Sequence, residues 1–313
     1  MAKKIGLVLG SGAARGWAHV GVLQGLEEIG VKPDVIAGCS VGALVGGAHL
    51  IGALDELETW ARELKPLSAL SAFSLKVERG GFIDAAPIFD AFRDFDQQIE
   101  DLPVKFGAVA ADLGDGGEVW ITEGSVIDAT RASSAIPVVF HAVQHQDRWL
   151  VDGAVANPAP VTLARHLGAD IVISVDLNAV PRVLDRFDPL PASVPAVRPA
   201  SLPAVSEEKK GTMTGAIAQL IEDTKLRVEE QIQLFRARAD ASPYLFETAY
   251  AAADIFQMHL ARAKGQIDPP DVLLKPDMRD AMPTAFDRAD EFIEEGRQAL
   301  LARKDDILAL IGG

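Results

Sequence analysis

From residue 4 to about residue 178 the chain alternates short apolar runs with stretches whose apolar positions recur at helical spacing. This is the pattern of parallel strands joined by crossover helices. The first run, Ile5 to Leu9, predicts a strand. A helix is expected from about Trp17 to Ile29, because Val20, Leu23 and Leu26 share one side and Gly30 stands as a stop signal. Asp34 to Cys39 predicts the second strand, and Phe106 to Ala111, Glu118 to Thr122, Trp149 to Val151 and Ile171 to Val175 predict others. The last is so rich in β-branched residues that it reads as a central strand buried on both faces. Helices are expected to fill the gaps, and no internal repeat is visible.

The pattern changes after Asn178. Pro181, Pro189, Pro191, Pro195, Pro199 and Pro203 place six prolines within 23 residues, a density that excludes ladder and helix interior alike. Residues 4–178 therefore read as the core, 179–211 as a proline-rich connector or flap, and 212–313 as a C-terminal helical extension packed on the same domain. Within the extension, Met213 to Ala239 and Thr284 to Ile311 have amphipathic helical spacing, and Val272 to Leu274 predicts a short strand.

Two segments imitate targeting or membrane signals. The apolar run after Lys3 and Lys4 is broken at Gly10, too early for a secretory signal. The uncharged stretch from Val35 to Leu54 has the length of a membrane span, but its five glycines, Cys39, Ser40 and His49 fit a strand, a turn and a buried helix better.

Composition narrows the partners. The chain has 313 residues, with 30 Lys and Arg against 45 Asp and Glu, a net charge of −15. That balance argues against nucleic acid and against strong attraction to anionic lipid. A hydrophobic share of 49% with 24% charged residues is that of a globular protein. The single cysteine, Cys39, excludes an internal disulfide and a multi-cysteine zinc site and fits a reducing compartment.

The strongest chemical signal is Gly38-Cys39-Ser40-Val41-Gly42, where an apolar strand meets a helix of small residues. A serine on such a turn presents its hydroxyl from a strained backbone at a helix N-terminus. The alternative is a glycine-rich turn in which Ser40 only caps a helix. A second signal, Gly10-Ser11-Gly12-Ala13-Ala14-Arg15-Gly16, also lies between a strand and a helix. As a dinucleotide fingerprint it has Arg15 in place of the third glycine, and the second strand ends without an acidic residue; as a phosphate loop it lacks the lysine and the spacing. What remains is a run of backbone N–H groups suited to an oxyanion. Arg15 either stabilises that charge or pairs with a carboxylate.

A serine nucleophile needs a base. Of the six histidines, at 19, 49, 141, 145, 166 and 259, only His166 and His259 lie well downstream, and a Ser, acid, His order would call on His259. Asp152, in Trp149-Leu150-Val151-Asp152-Gly153-Ala154, is the more suggestive group. At the end of an apolar strand it is either a base whose pKa is raised by a dry pocket or one half of an Asp-Gly turn.

Together with Arg131-Ala132-Ser133-Ser134-Ala135-Ile136-Pro137, these motifs occur in the order and approximate spacing of the patatin-like phospholipases. The chain resembles the small bacterial members of the RssA type, relatives of the neuropathy target esterase catalytic domain. The resemblance covers residues 4–178 well and the C-terminal third loosely, around Asp268 to Leu273. It implies an α/β, three-layer patatin-like fold, with a mostly parallel central sheet and helices on both faces.

It also implies a Ser–Asp dyad without histidine, with Ser40 as nucleophile and Asp152 as general base. The oxyanion loop maps onto Ser11, Gly12, Ala13, Arg15 and Gly16, with the Gly12 and Ala13 amides as donors and Gly10, Gly38, Gly42 and Gly153 as supporting glycines. Patatins proper have glycines where this chain has Ser11 and Ala13, which leaves the loop less backbone freedom. The implied activity is hydrolysis of fatty acyl esters of phospholipids or lysophospholipids through an acyl-enzyme. No cofactor and no metal is expected, since the chain has no EF-hand loop and no evident carboxylate cage. The expected setting is cytoplasmic, with transient contact at the inner face of a membrane. A catalytically silent partner-binding protein on the same fold, and less favourably a nucleotide-binding oxidoreductase, are the competing readings.

Overall fold

The computed structural model describes residues 3–63, 75–78, 81–83, 85, 89–137, 139–179, 245–278, 281 and 285–312. The chain divides into two compact units, Met1–Val183 with Ala253–Gly313, and Leu184–Ala252. In the second the described residues are 245–252, all helical. The connector from residue 180 onward and the helix expected over Met213 to Ala239 lie outside the described residues.

The first unit is built on strands β1 (Ile5–Leu9), β2 (Val35–Cys39), β5 (Lys105–Asp112), β6 (Glu118–Ile121), β7 (Val143–His145), β8 (Arg148–Asp152), β9 (Ile171–Val175) and β10 (Val272–Leu274). Their order is β10-β9-β1-β2-β5-β8-β7, with β6 also pairing β5. The run from β10 to β5 is parallel. β1, β2 and β9 are buried along their whole length, as strands covered on both faces must be. Helices α1 (Ala18–Glu28), α2 (Val41–Leu50), α3 (Leu54–Glu63), α4 (Val126–Ser133), α5 (Val161–His166), α6 (Leu245–Ile267), α7 (Ala289–Leu301) and α8 (Lys304–Gly312) complete the described regular structure, with several 3-10 turns.

Alternation along each central strand sends its side chains into two cores. Leu7, Leu9, Ile36, Ile173 and Val175 join the larger, under α1, α2 and α7, while Val8, Val35, Ala37 and Val172 meet Val161, Leu163 and Ala164 of α5 on the opposite face. Three layers result, and the α/β architecture expected from sequence, a mostly parallel sheet with helices on both faces, is the observed one.

Several elements differ from expectation. β6, β7 and β8 run antiparallel to their neighbours. The β5–β6 connection, residues 113–117, is too short for a crossover. Strands β3 (Leu75–Glu78) and β4 (Gly81–Ile83) form a separate antiparallel pair where helices were expected. As expected, by contrast, the uncharged stretch from Val35 resolves into β2, Ser40 and the ten-residue α2, and among the described residues no helix is long and apolar enough to cross a membrane. The helix expected over Thr284 to Ile311 is interrupted: the chain turns at Ala302 and Arg303, where Arg303 donates to the Leu273 carbonyl at 3.3 Å. α8 then restarts with Asp305 and Asp306 in its first turn, where the helix dipole favours them.

The meeting of β2 and β8 positions the site. β6 lies along one edge of β5 from Ala108 to Ala111. β2 occupies the other edge as far as Val109, and β8 takes over that same edge from Ala110. Because β2 runs parallel to β5 and β8 antiparallel, their C-terminal ends point at each other, with Cys39 opposite Val109 and Asp152 opposite Ala110.

α1 and α7 cross at glycines: a Cβ on Gly296 would collide with the Ala18 carbonyl, and one on Gly21 with the Ile293 carbonyl. Gly296→Ala should therefore lower stability by about 2 kcal/mol through overpacking. Gly265→Ala, at a helical glycine with open space beside it, should be neutral or stabilising by up to about 1 kcal/mol. Urea unfolding of the two variants checks the contrast.

Candidate active site

Ser40 follows β2 directly and starts α2 with φ 56° and ψ −126°, a left-handed backbone that costs a non-glycine residue on the order of 1–3 kcal/mol. The turn closes only because its flanks are glycine: a Cβ on Gly38 would strike the Ala43 backbone, and one on Gly42 the Leu9 carbonyl. The Ser40 amide donates to Ser133 Oγ at 2.9 Å, and that hydroxyl donates to the Val109 carbonyl at 2.5 Å. Ser40 makes no side-chain cap to α2, so the simple capping alternative is not what the structure shows.

The Ser40 hydroxyl instead donates to Asp152 Oδ2 at 2.5 Å. The other carboxylate oxygen, Oδ1, accepts from the Ala154 amide at 2.8 Å, and the Asp152 amide donates to the Ala135 carbonyl at 2.9 Å. The Arg131 to Pro137 segment thus ends a helix and also braces the pair, through Ser133 and Ala135. Asp152 is 3% exposed and Ser40 4%. Burial raises the Asp152 pKa from 3.8 to about 6, against the opposing pull of the Ser40 and Ala154 hydrogen bonds. Burial, with help from Asp152 and Glu118, also pushes the Cys39 thiol well up, so this cysteine stays protonated.

The glycine-rich segment lies between β1 and α1. The Gly10 amide donates to the Val175 carbonyl at 3.1 Å and the Ser11 amide to the Pro158 carbonyl at 2.8 Å. Beyond them the chain frees two donors: among the described residues, no acceptor is bonded to the amides of Gly12 and Ala13. Ala13 has φ 50°, so the loop takes up a left-handed turn without the glycine that makes it easy. Gly16 brings the loop against α2, since a Cβ there would overlap the Val41 side chain.

Three groups hold the loop. His19, fully buried, lies with Nε2 2.7 Å from the Gly10 carbonyl. Burial lowers its pKa to about 4 although that hydrogen bond opposes the change, so the neutral ring donates from Nε2. Arg15, 3% exposed, donates to the Gly12 carbonyl at 3.2 Å, to Asn178 Oδ1 at 2.8 Å and to Asp254 Oδ1 at 2.9 Å. This is the carboxylate-pairing arrangement of Arg15. Gln257 accepts from the Ser11 hydroxyl at 2.6 Å and from Asn178 Nδ2 at 3.3 Å, tying the loop to α6.

The structure therefore brings together Ser40 and Asp152, with Gly38, Gly42 and Gly153 at the backbone contacts around them. Among the described residues no histidine bonds to the Ser40 hydroxyl or the Asp152 carboxylate. His259 is exposed on α6, and His166 lies against Trp120 with ring centroids 4.9 Å apart. Among the described residues no group of three or more His, Cys, Asp or Glu is arranged to hold a metal. Sequence reasoning gave no role to Ser133, His19, Asn178, Asp254 or Gln257. Ser133 stood within a quoted motif, but nothing local marks the other four.

A family model described as patatin-like phospholipase matches residues 7–165, just over half of the chain and the span that holds every motif above. The chain belongs to the patatin-like phospholipase family. Among its relatives, an uncharacterized NTE family protein of Mycobacterium tuberculosis strain H37Rv is 42% identical over 177 residues, which are 56% of this chain and 49% of that protein. Lysophospholipase nte1 of Emericella nidulans is 29% identical over 187 residues, 57% of this chain and 12% of that protein. This chain spans about half the length, or less, of these curated relatives. The crystal structure of VipD from Legionella pneumophila is similar at a TM-score of 0.42 and 13% identity, over 97% of this chain and 67% of that one.

In this patatin-like site the carboxylate binds its proton more tightly in the folded state than in the unfolded chain. Between pH 3.8 and about 6 the folded protein holds the extra proton, so Asp152 lowers stability as pH rises through that window. Relative to wild type, Asp152→Asn should therefore gain stability between pH 4 and pH 7, by on the order of 1–3 kcal/mol. Denaturant unfolding across that range measures the difference.

Proposed function

We propose that the chain is a serine acyl hydrolase that cleaves fatty acyl esters of phospholipids or lysophospholipids with Ser40 and Asp152. The observation that carries this reading is the 2.5 Å hydrogen bond from the Ser40 hydroxyl to a buried carboxylate whose pKa is about 6. Above that pH the carboxylate is ionised and basic enough to take the proton of the attacking hydroxyl. Family membership and the lysophospholipase relative support a lipid ester as substrate.

In the first half-reaction Asp152 accepts the Ser40 proton as Ser40 Oγ bonds to the ester carbonyl carbon. The amides of Gly12 and Ala13 receive the oxyanion of the tetrahedral intermediate. Collapse breaks the bond to the alcohol, which leaves with the proton held by Asp152, and an acyl-Ser40 ester remains. In the second half-reaction Asp152 takes a proton from water, the hydroxide so formed attacks the acyl carbon, and Ser40 departs with that proton as the fatty acid is released. Held by Asp254 and Asn178, Arg15 positions the loop. Leu113, Trp149 and Val155, between 55% and 59% exposed, stand on and beside β8, where a lipid surface contacted in passing would meet them.

Hydrolysis of p-nitrophenyl esters of increasing chain length tests the reading. Ser40→Ala should reduce turnover to background and Asp152→Asn should reduce it by about 10³-fold or more, while His259→Ala should leave it unchanged. The wild-type kcat/KM should fall as pH drops through about 6, the pKa of Asp152. A Ser40→Ala variant as active as wild type would overturn the assignment.

A further inference from the structure

The amides of Gly12 and Ala13, which receive the oxyanion in the reaction above, belong to adjacent peptide units, and each unit carries a carbonyl at its other end. Both peptides are trans. In a planar trans peptide the C=O and N–H point in opposite directions. Whatever holds the Ser11 carbonyl therefore aims the Gly12 N–H, and whatever holds the Gly12 carbonyl aims the Ala13 N–H. Gly12 has φ 174° and ψ 5°, and at those angles the two N–H groups lie near one plane and point to the same side, where one oxygen can accept from both. Side by side, with no acceptor bonded to either among the described residues, their dipoles repel, so the two peptides need to be held from behind.

Both are held. The Gly12 carbonyl accepts from the Arg15 amide and from Arg15 Nε, each at 3.2 Å. The Ser11 carbonyl accepts from Asn178 Nδ2 at 3.2 Å. Register delivers Asn178 to this place: β1 and β9 run parallel with Leu9 opposite Val175, so the residues that follow β9 lie beside those that follow β1. Leu177 packs on Gly12, where an added Cβ would overlap its side chain. The Asn178 amide donates to Asp176 Oδ1 at 2.9 Å, which fixes the backbone here. Asn178 is 5% exposed, and its side-chain amide can face only one way. Arg15, a donor only, takes Oδ1 at 2.8 Å, which turns Nδ2 toward the Ser11 carbonyl and toward Gln257 Oε1 at 3.3 Å.

We propose that Asn178 is a positioning residue for the oxyanion donors: it aims the Gly12 N–H by holding the Ser11 carbonyl, and by accepting from Arg15 it ties that donor to the Ala13 N–H. The inference rests on the hydrolase reading above and adds to it a residue that lies beyond residues 7–165, the span of the family match. Donors set in advance stabilise developing charge without reorganising during the reaction. Without the Asn178 donor the Ser11–Gly12 peptide can turn its N–H away. The loss then falls on the transition state, where the oxyanion exists, and spares the binding of the uncharged ester.

The test is steady-state hydrolysis of a p-nitrophenyl ester by the full chain, in wild type, Asn178→Asp, Asn178→Ala and Ser40→Ala, each at a temperature where circular dichroism shows it folded. It is paired with inhibition by an alkyl trifluoromethyl ketone, which forms a tetrahedral oxyanion adduct with a serine nucleophile. Asn178→Asp keeps the acceptor for Arg15 and removes the donor to the Ser11 carbonyl. Both Asn178 variants should lower kcat by about 10²-fold with KM changed less than about threefold, and both should bind the ketone more weakly by a similar factor. In Asn178→Ala the fall of kcat/KM below a pH of about 6 should stay in place, because Asp152 is untouched. If wild type turns over and Ser40→Ala does not, while Asn178→Asp keeps kcat within about threefold of wild type, this inference is overturned and the hydrolase reading stands. A change confined to KM, or a lower kcat with unchanged affinity for the ketone, would overturn it as well, since an asparagine that only supports the fold has no reason to act on the oxyanion alone. An inert wild type, or a fully active Ser40→Ala, would overturn the hydrolase reading and this inference with it.

Discussion

Strand β5 is long enough for two strands of opposite direction to share one of its edges, and the rest of the site follows from that. β2 ends against Val109 and β8 ends against Ala110, so Ser40 and Asp152 face one another although 112 residues separate them. Neither strand can move without breaking its ladder to β5. The Val109 carbonyl, at the junction, takes the Ser133 hydroxyl that in turn receives the Ser40 amide. The space above it admits no side chain at Gly153, whose added Cβ would collide with the same carbonyl. Register, rather than any local preference of the serine or the aspartate, places the pair.

Electrostatics then give the pair its character. Asp152 has two hydrogen-bond donors, the Ser40 hydroxyl and the Ala154 amide, and burial outweighs both in setting its pKa. Desolvation disfavours the charged form, which is why the carboxylate becomes a stronger base than an exposed aspartate. The nearby arginine is directed elsewhere: Arg15 is bound to Asp254, Asn178 and the Gly12 carbonyl. Its charge holds the loop in place. Helix α6 supplies Asp254 and Gln257 to that network, and His19 secures the start of the loop from below as a neutral donor. The loop is thus pinned at Gly10, Ser11 and Gly12 from three sides, while the Gly12 and Ala13 amides carry no acceptor among the described residues.

The central strands were legible because a strand covered on both faces leaves a continuous apolar run, as in Ile5 to Leu9 and Ile171 to Val175. The turn at Ser40 was legible because glycines at 38 and 42 have no other economical explanation where a strand passes straight into a helix. Pairing direction was not legible. The apolar run of Trp149 to Val151 looks the same whether β8 runs parallel or antiparallel, and only the short hairpin connections decide it. His19, Asn178, Asp254 and Gln257 were invisible for a related reason. Each acts on the loop from a distant part of the chain, and a single polar residue on a helix or after a strand has no spacing that announces its partner. The break at Ala302 and Arg303 was hidden because amphipathic spacing continues across it, and Arg303 leaves the helix for a tertiary contact with the Leu273 carbonyl.

In the proposed reaction Ser40, activated by Asp152, bonds covalently to the electrophilic centre of its substrate, and a fluorophosphonate offers such a centre at phosphorus. The most direct measurement is to react the protein with a fluorophosphonate and locate the adduct by peptide mass spectrometry. A single adduct on Ser40 is expected, formed much more slowly in Asp152→Asn. An adduct on another residue, or no adduct on a folded protein, would contradict it.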